Sequence, residues 1–340
     1  MKKIVTFGEI MLRLTPPGHT RFLQADSFRA MYGGAEANVA VSLARFGLQA
    51  AFVTRLPEND IAQSAVNYLR SYGVDTSFIA RGGSRMGLYY LEKGACERPN
   101  KVIYDRAGSA VAEASREDFD WDTIFGGCGV FCFSGITPAL SEGTAAILRD
   151  ACAAAKAKGI LTVCDLNYRP ALWSAEQAGR AMREFMGFTD LLVANENHLS
   201  LLFGIRPANA RDDSTLFEPA RYEEIAAKVR SELGVKDLAV TIRKTYSAEK
   251  NDFAAMLSLG GECRFSPRFH VDIVDRAGGG DAFTAGLIYS LLTGKTPAES
   301  VRFAAAACAL SHTMEGDANL ASAEEVEALA AASGKCLGGQ

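Results

Sequence analysis

Short apolar runs alternate with amphipathic stretches along most of this chain. The runs Ile4 to Phe7, Ala51 to Thr54, Val130 to Ser134, Leu161 to Asp165, Leu191 to Ala194 and Leu238 to Ile242 have the length and residue types of strands. Ala35 to Phe46, Asp60 to Ser71, Gly143 to Lys158, Pro219 to Leu233, Asp281 to Leu292 and Pro297 to Met314 show amphipathic or buried-helix spacing, several ending at glycine. Such alternation predicts an α/β fold, a mostly parallel sheet covered by helices on both faces. Two segments, residues 9–32 and 87–106, break the rhythm: they are strand-like, with turn residues but no crossover helix. They predict a small separate β-sheet, a lid beside the main one, within a single catalytic domain spanning residues 1–340.

Composition narrows the function. With 48% hydrophobic and 22% charged residues the chain has the balance of a folded globular protein, and a net charge of -4 gives it no broad basic surface for nucleic acid. No apolar stretch has the length of a membrane span, and Met1-Lys2-Lys3 leads straight into a strand-like run, so a cytoplasmic protein is expected. Of eight cysteines, Cys128, Cys132, Cys152, Cys164 and Cys308 lie within apolar runs and read as buried thiols; the Cys128/Cys132 spacing fits no common zinc site. His19, His270 and His312 form no cluster in the sequence and read as surface or packed residues.

The densest chemical signal is Asp275-Arg276-Ala277-Gly278-Gly279-Gly280-Asp281, opening a helix. Glycines at a helix start let backbone N–H groups converge, and the dipole adds positive potential, so Ala277 to Gly280 predict an anion hole for a phosphoryl group. Asp281, on the first turn, is placed either to take a proton from an attacking hydroxyl or simply to cap the helix. A second run, Gly33-Gly34-Ala35-Glu36-Ala37-Asn38, also opens a helix, where glycines would admit a ligand to the backbone and Asn38 offers donors and acceptors. Neither run is closed by Lys-Ser/Thr, which disfavours a P-loop, and the first strand-helix junction lacks the dinucleotide-binding spacing.

Two glycine motifs near opposite ends of the chain, the second ending in Asp281, resemble the signatures of the PfkB/ribokinase family of carbohydrate kinases, over essentially the whole length. Gly33 through Gly47 is similar to the first signature; Asp275 to Asp281 is similar to the second, Asp-Thr-x-Gly-Ala-Gly-Asp, with Arg276 and Gly279 at variant positions. The resemblance implies a ribokinase-like three-layer α/β/α sandwich, ATP and Mg²⁺ as co-substrate and metal with a monovalent cation as a further option, and Asp281 as catalytic base. Gly8 to Pro17, Val102 to Ser109, Ser134 to Leu140 and Asp165 to Trp173 look most like members acting on the C6 hydroxyl of 2-keto-3-deoxygluconate.

Carried over motif by motif, the resemblance implies a substrate site of Gly33, Gly34, Asn38, Tyr89, Tyr104, Arg106, Arg169 and Asp317, with the two arginines on the sugar's carboxylate. Taken singly, Arg106 also reads as a surface residue, Arg169 as a partner of loop carbonyls and Asp317 as a turn former. On the nucleotide side the resemblance implies Asn195, Gly278 and Gly280. His198 stands where the family has a glutamate credited with a water-mediated Mg²⁺ contact, leaving Glu196 as a substitute or a helix cap, and Lys244-Thr245-Tyr246-Ser247 replaces a Gly-x-x-Gly loop; the metal ligands are not assigned. The alternatives are a kinase for a neutral sugar such as fructose or ribose, and a sugar-binding module without turnover. Strand edges on the lid lead to the expectation of a homodimer or higher homo-oligomer.

Overall fold

The computed structural model describes residues 2–208 and 213–332. In chain order the elements are β1 (Lys3–Phe7), β2 (Met11–Thr15), β3 (Arg29–Gly33), α1 (Ala35–Arg45), β4 (Ala50–Leu56), α2 (Asp60–Ser71), β5 (Ile79–Arg81), β6 (Leu88–Glu92), β7 (Lys101–Asp105), α3 (Trp121–Ile124), β8 (Cys128–Ser134), α4 (Glu142–Ala157) and β9 (Leu161–Asp165). They continue with α5 (Ala175–Met186), β10 (Leu191–Asn195), α6 (Glu196–Phe203), α7 (Pro219–Leu233), β11 (Asp237–Thr245), β12 (Lys250–Leu259), β13 (Glu262–Phe265), β14 (Phe269–Asp272), α8 (Gly279–Leu292), α9 (Pro297–Ser311) and α10 (Ala323–Ala332).

The large sheet has ten strands in the order β13-β12-β11-β10-β9-β8-β1-β4-β5, with β14 also on β12. From β11 to β5 every pairing is parallel. Successive residues of the central strands feed opposite cores: Ile4, Phe52, Val130 and Val163 pack into one, Val5, Val53, Phe131 and Cys164 into the other. That is why these strands read as continuous apolar runs. The ends of β1, β8, β9, β10 and β11 leave a crevice at the carboxyl edge, where open parallel sheets bind ligands.

The antiparallel edge was not anticipated. Arg243, Lys244 and Thr245 are polar and exposed, so the apolar run stops at Ile242, yet β11 continues to Thr245 and pairs with Asn251 at the start of β12. Nor were α5 and α6. The first is held at its entrance by reciprocal capping, Ser174 with Gln177, a signal present in the sequence.

The segments without crossover helices form a second, four-stranded sheet, β3-β2-β6-β7. Its strand β3 runs through Gly33 into α1, tying the small sheet to the entrance of that helix. The described cysteines are all free thiols, and among the described residues no helix is long and apolar enough to cross a membrane.

Candidate active site

The site grows from the entrance of α8. Gly278 sits at φ +77°, and a Cβ there would stand 1.6 Å from the carbonyl oxygen of Asp317, so only glycine fits. At Gly279 a Cβ would fall 2.0 Å from Cε1 of His312, which is fully buried. Alanine, the usual family residue at this position, is therefore incompatible with that histidine, which accounts for one of the two motif variations. Burial, with Arg243 next, lowers the His312 pKa to about 3, so the ring is neutral. The N–H groups of Gly278, Gly279 and Gly280 have no acceptor among the described residues and converge at the positive end of a helix. Ala277 differs from expectation: its N–H is engaged, at 3.3 Å, by Oδ1 of Asp275.

Asp281, one turn in, is buried and does not cap the helix with its side chain. Its Oδ2 accepts from Nδ2 of Asn38 at 2.8 Å, so Asn38, expected to touch substrate, also orients the carboxyl. Burial first, then proximity to Asp165 and Glu36, outweighs Asn38 and Arg169 and pushes the Asp281 pKa up to about 8. Asp165, at the end of β9, is likewise raised by burial, to about 6, with Arg169 pulling the other way. The turn after it passes through Asn167 at φ +33°, a left-handed position that asparagine tolerates better than most residues, with the Asn167 N–H on Asp165 Oδ1 at 3.0 Å. This turn delivers Arg169 to the crevice.

Two cavities meet there. The smaller, about 380 Å³, is lined by every residue expected on the substrate side: Gly33, Gly34, Asn38, Tyr89, Tyr104, Arg106, Arg169 and Asp317. The larger, about 800 Å³, is lined by Asn195, His198, Arg243 and the loop from Arg276 to Asp281. Asp281, Arg169, Arg276, Ala277 and Gly278 line both.

In the smaller cavity the polar groups are largely paired with one another. Arg106 is neither a surface residue nor a free cation: its Nε donates to Glu9 Oε2 at 2.8 Å, its Nη2 bonds the same oxygen, and both side chains are buried. Asp317 accepts from Tyr89 and from Nη1 of Arg13, the latter at 2.6 Å. Its burial raises its pKa, with Arg13 opposing. Arg169 has no carboxylate partner within salt-bridge distance among the described residues; its nearest bond is a long one, 3.5 Å, to its neighbour's carbonyl.

In the larger cavity two of the residues named from sequence are already engaged. Glu196 is no free substitute for the family glutamate, because Arg221 grips it at 2.8 and 2.6 Å. Asn195 lines the cavity, but its Oδ1 caps α6 by accepting from His198 N at 2.8 Å. The His198 pKa is lowered to about 4 by burial and then by Arg169, so the imidazole is neutral. Arg276 donates from Nη2 to the carbonyls of Ser247 and Ala248 at 3.0 and 2.9 Å, pinning the β11–β12 turn to the anion loop. The second motif variation thus serves the segment that replaces the glycine loop.

Glu9, Arg13, Asp165 and Arg243 were not singled out by sequence. Arg13 and Glu9 belong to the stretch Gly8 to Pro17 already noted for its likeness to the family, but alternation along β2 sets Arg13 with Thr15 opposite Leu12 and Leu14, which reads as the solvent face, whereas the structure buries it.

The chain is similar to known proteins over most of its length. A sequence profile for pfkB family carbohydrate kinases matches residues 1–324. The chain is 33% identical over 325 residues to a 2-dehydro-3-deoxygalactonokinase from Haloferax volcanii, covering 96% of this chain and 95% of that protein. It superposes on a crystal structure of 2-dehydro-3-deoxygluconokinase from Thermotoga maritima with a TM-score of 0.93 and 47% identity, covering 97% and 98% of the two chains. A ribokinase II of Escherichia coli, solved with ATP and Mg²⁺, shares the fold at a TM-score of 0.77 and 21% identity, covering 97% and 99%.

Proposed function

Because the chain belongs to the pfkB family of carbohydrate kinases, we propose that it transfers the γ-phosphoryl group of ATP to the C6 hydroxyl of 2-keto-3-deoxygluconate, giving 2-keto-3-deoxy-6-phosphogluconate and ADP. The observation that carries this reading is a buried carboxyl, Asp281, on the seam of the two cavities beside the unpaired amides of Gly278 to Gly280. The sugar occupies the smaller cavity and the nucleotide the larger. The hydroxyl oxygen forms a bond to the γ-phosphorus as the bond to the β-phosphate oxygen breaks; the hydroxyl proton passes to Asp281 and the electron pair leaves on ADP. Amides aimed at the transferring group stabilise its charge without having to reorganise.

Mg²⁺, bound with the nucleotide phosphates, would supply charge shielding for them. No cluster of three or more metal-ligating side chains occurs among the described residues. With Glu196 taken by Arg221, Asp165 and Asp281 are the larger cavity's carboxylates without a salt bridge among the described residues, and with Asp281 assigned to the proton, Asp165 would be the one to hold that ion.

The acidic substrate rests on Arg169, whose unpaired guanidinium faces the smaller cavity and matches a carboxylate. Arg106 contributes less charge than its sequence implies because Glu9 neutralises it, an observation that favours the second reading, a neutral sugar. A phosphorylation panel decides: 2-keto-3-deoxygluconate, its galactonate epimer, gluconate, fructose and ribose with Mg-ATP. The reading requires a keto-deoxy acid to give the highest kcat/KM; faster fructose or ribose would reverse it. In this reading the small sheet, which supplies Tyr89 and Tyr104, is a lid, and its exposed strand β7 pairs with a second copy, so sedimentation should give a dimer mass.

A further inference from the structure

Beneath the anion loop lies a charged chain that neither cavity explains. Arg13, on β2 of the small sheet, is fully buried. Its Nη2 bonds Oδ2 of Asp275 at 2.6 Å, its Nη1 bonds Oδ1 of Asp317 at 2.6 Å, and its Nε donates to Thr15 Oγ1 at 2.8 Å. Each carboxylate continues in a different direction. Asp275 receives the N–H groups of Ala277 and Gly316, both at 3.3 Å, and so holds the first turn of the anion loop. Asp317 takes the Tyr89 hydroxyl, fills the space a Cβ on Gly33 would need, and presses its backbone carbonyl against Gly278.

One guanidinium from the small sheet therefore joins the wall of the sugar cavity to the start of the loop whose glycine amides receive the phosphoryl group. Its planar fork suits this task, since each arm can grip one carboxylate in fixed relative orientation, which an ammonium cannot do. We propose that Arg13 is a positioning residue that couples occupancy of the sugar cavity to the geometry of the anion loop. The inference rests on the sugar and phosphoryl assignments of the two cavities proposed above. With the sugar bound against Tyr89 and Gly33, Asp317 is fixed; through Arg13, Asp275 and the Ala277 amide are fixed with it. Sugar and nucleotide then strengthen each other's binding, and by linkage the effect is reciprocal.

The test measures the dissociation constant of a non-hydrolysable ATP analogue with Mg²⁺, with and without saturating 2-keto-3-deoxygluconate, in the wild type, Arg13→Lys and Arg13→Met, alongside kcat, both KM values and thermal midpoints. Wild type should show a coupling factor within the usual range of about 5–150. In Arg13→Lys, which keeps a charge but not the fork, the factor should fall toward one and kcat at least about tenfold, with KM for the sugar moving less than about threefold. A folded variant retaining wild-type coupling and kcat overturns the proposal, as does a kcat loss that only tracks the folded fraction. Should neither variant fold, hydrogen exchange in the wild type decides. The sugar alone should slow exchange at the Ala277 and Gly316 amides, and unchanged exchange overturns the proposal. If the wild type phosphorylates no sugar acid but does phosphorylate a neutral sugar, the substrate assignment fails by itself and the same measurements are made with that sugar.

Discussion

The two cavities that share Asp281 meet most of their charges in different ways, although Arg169 has no carboxylate partner among the described residues on the smaller side and Arg221 holds Glu196 on the larger. On the smaller side charges meet charges inside the protein, Arg106 with Glu9 and, behind the cavity wall, Arg13 with Asp275 and Asp317, while the Asn38 amide donates to Asp281. On the larger side Arg243 is exposed and without a carboxylate partner among the described residues, and Arg276 is bonded to carbonyls, not to acids. A small sugar must be recognised by a few hydrogen bonds of fixed direction, so prepaired, rigid groups serve it. A polyphosphate carries several charges of its own, so unpaired cations and free amides serve it better.

The sharpest way to break this comparison is at the shared carboxyl. Asp281→Asn should lower kcat by about 10²–10⁴ while leaving both KM values within a few fold, since the residue acts on the proton and not on binding. Its stability should not fall. The native pKa of about 8 lies above the ordinary carboxyl value. The stability linked to Asp281 is therefore fully present below the unfolded pKa and lost as pH rises through about 8. An amide has no such loss, and a thermal midpoint at pH 8 clearly below that of the wild type would show that Asp281 is structural.

The prepaired side should answer a charge deletion with instability. Arg106→Leu leaves Glu9 buried, with Oε1 already lacking a partner, and should cost about 3–5 kcal/mol in denaturant unfolding. Glu9→Gln added to it should restore part of that. If the single variant unfolds like the wild type, the pair is not buried in solution and the contrast between the cavities weakens.

The same burial sets a pH profile. With Asp281 protonated below about 8, kcat/KM should rise about tenfold per pH unit up to that region and then level off, because it reports the free enzyme's base. Asp165, raised to about 6 in the larger cavity, will be largely ionised before this rise ends. A profile already flat from about pH 6 upward would mean that the base ionises in the ordinary carboxyl range and that burial does not hold Asp281 protonated in the working enzyme.

What could be read from sequence, and what could not, follows the same division. The central strands and most helices were legible because double-sided burial and amphipathic spacing are local properties, and the family motifs carried the glycines, Asp281 and Arg169. Pairing was not legible. Nothing adjacent to Arg106 in the chain reveals Glu9, and Arg13 finds Asp275 and Asp317 at separations of 262 and 304 residues. The β11–β12 hairpin was missed because its polar tip erases the apolar signal. Gly279 and Arg276 looked like departures from a motif; each answers a distant residue, His312 in one case and the Ser247–Ala248 carbonyls in the other.

The smallest expected effect sharpens the comparison from the larger side. Arg243 lines that cavity from the exposed end of β11, and its removal strands no buried acid. Arg243→Ala should therefore leave the thermal midpoint within about 1–2 °C of wild type, as surface changes of under about 0.5 kcal/mol do. If it faces the nucleotide phosphates, KM for ATP should rise about two- to fivefold, the 0.4–1 kcal/mol of an exposed ion pair. Added salt should raise the wild-type KM more than the variant's, because screening removes from the wild type what the substitution has already removed. Parallel salt curves for the two proteins would mean that the exposed cation does not act on the nucleotide, and that the larger cavity binds phosphate through its glycine amides alone.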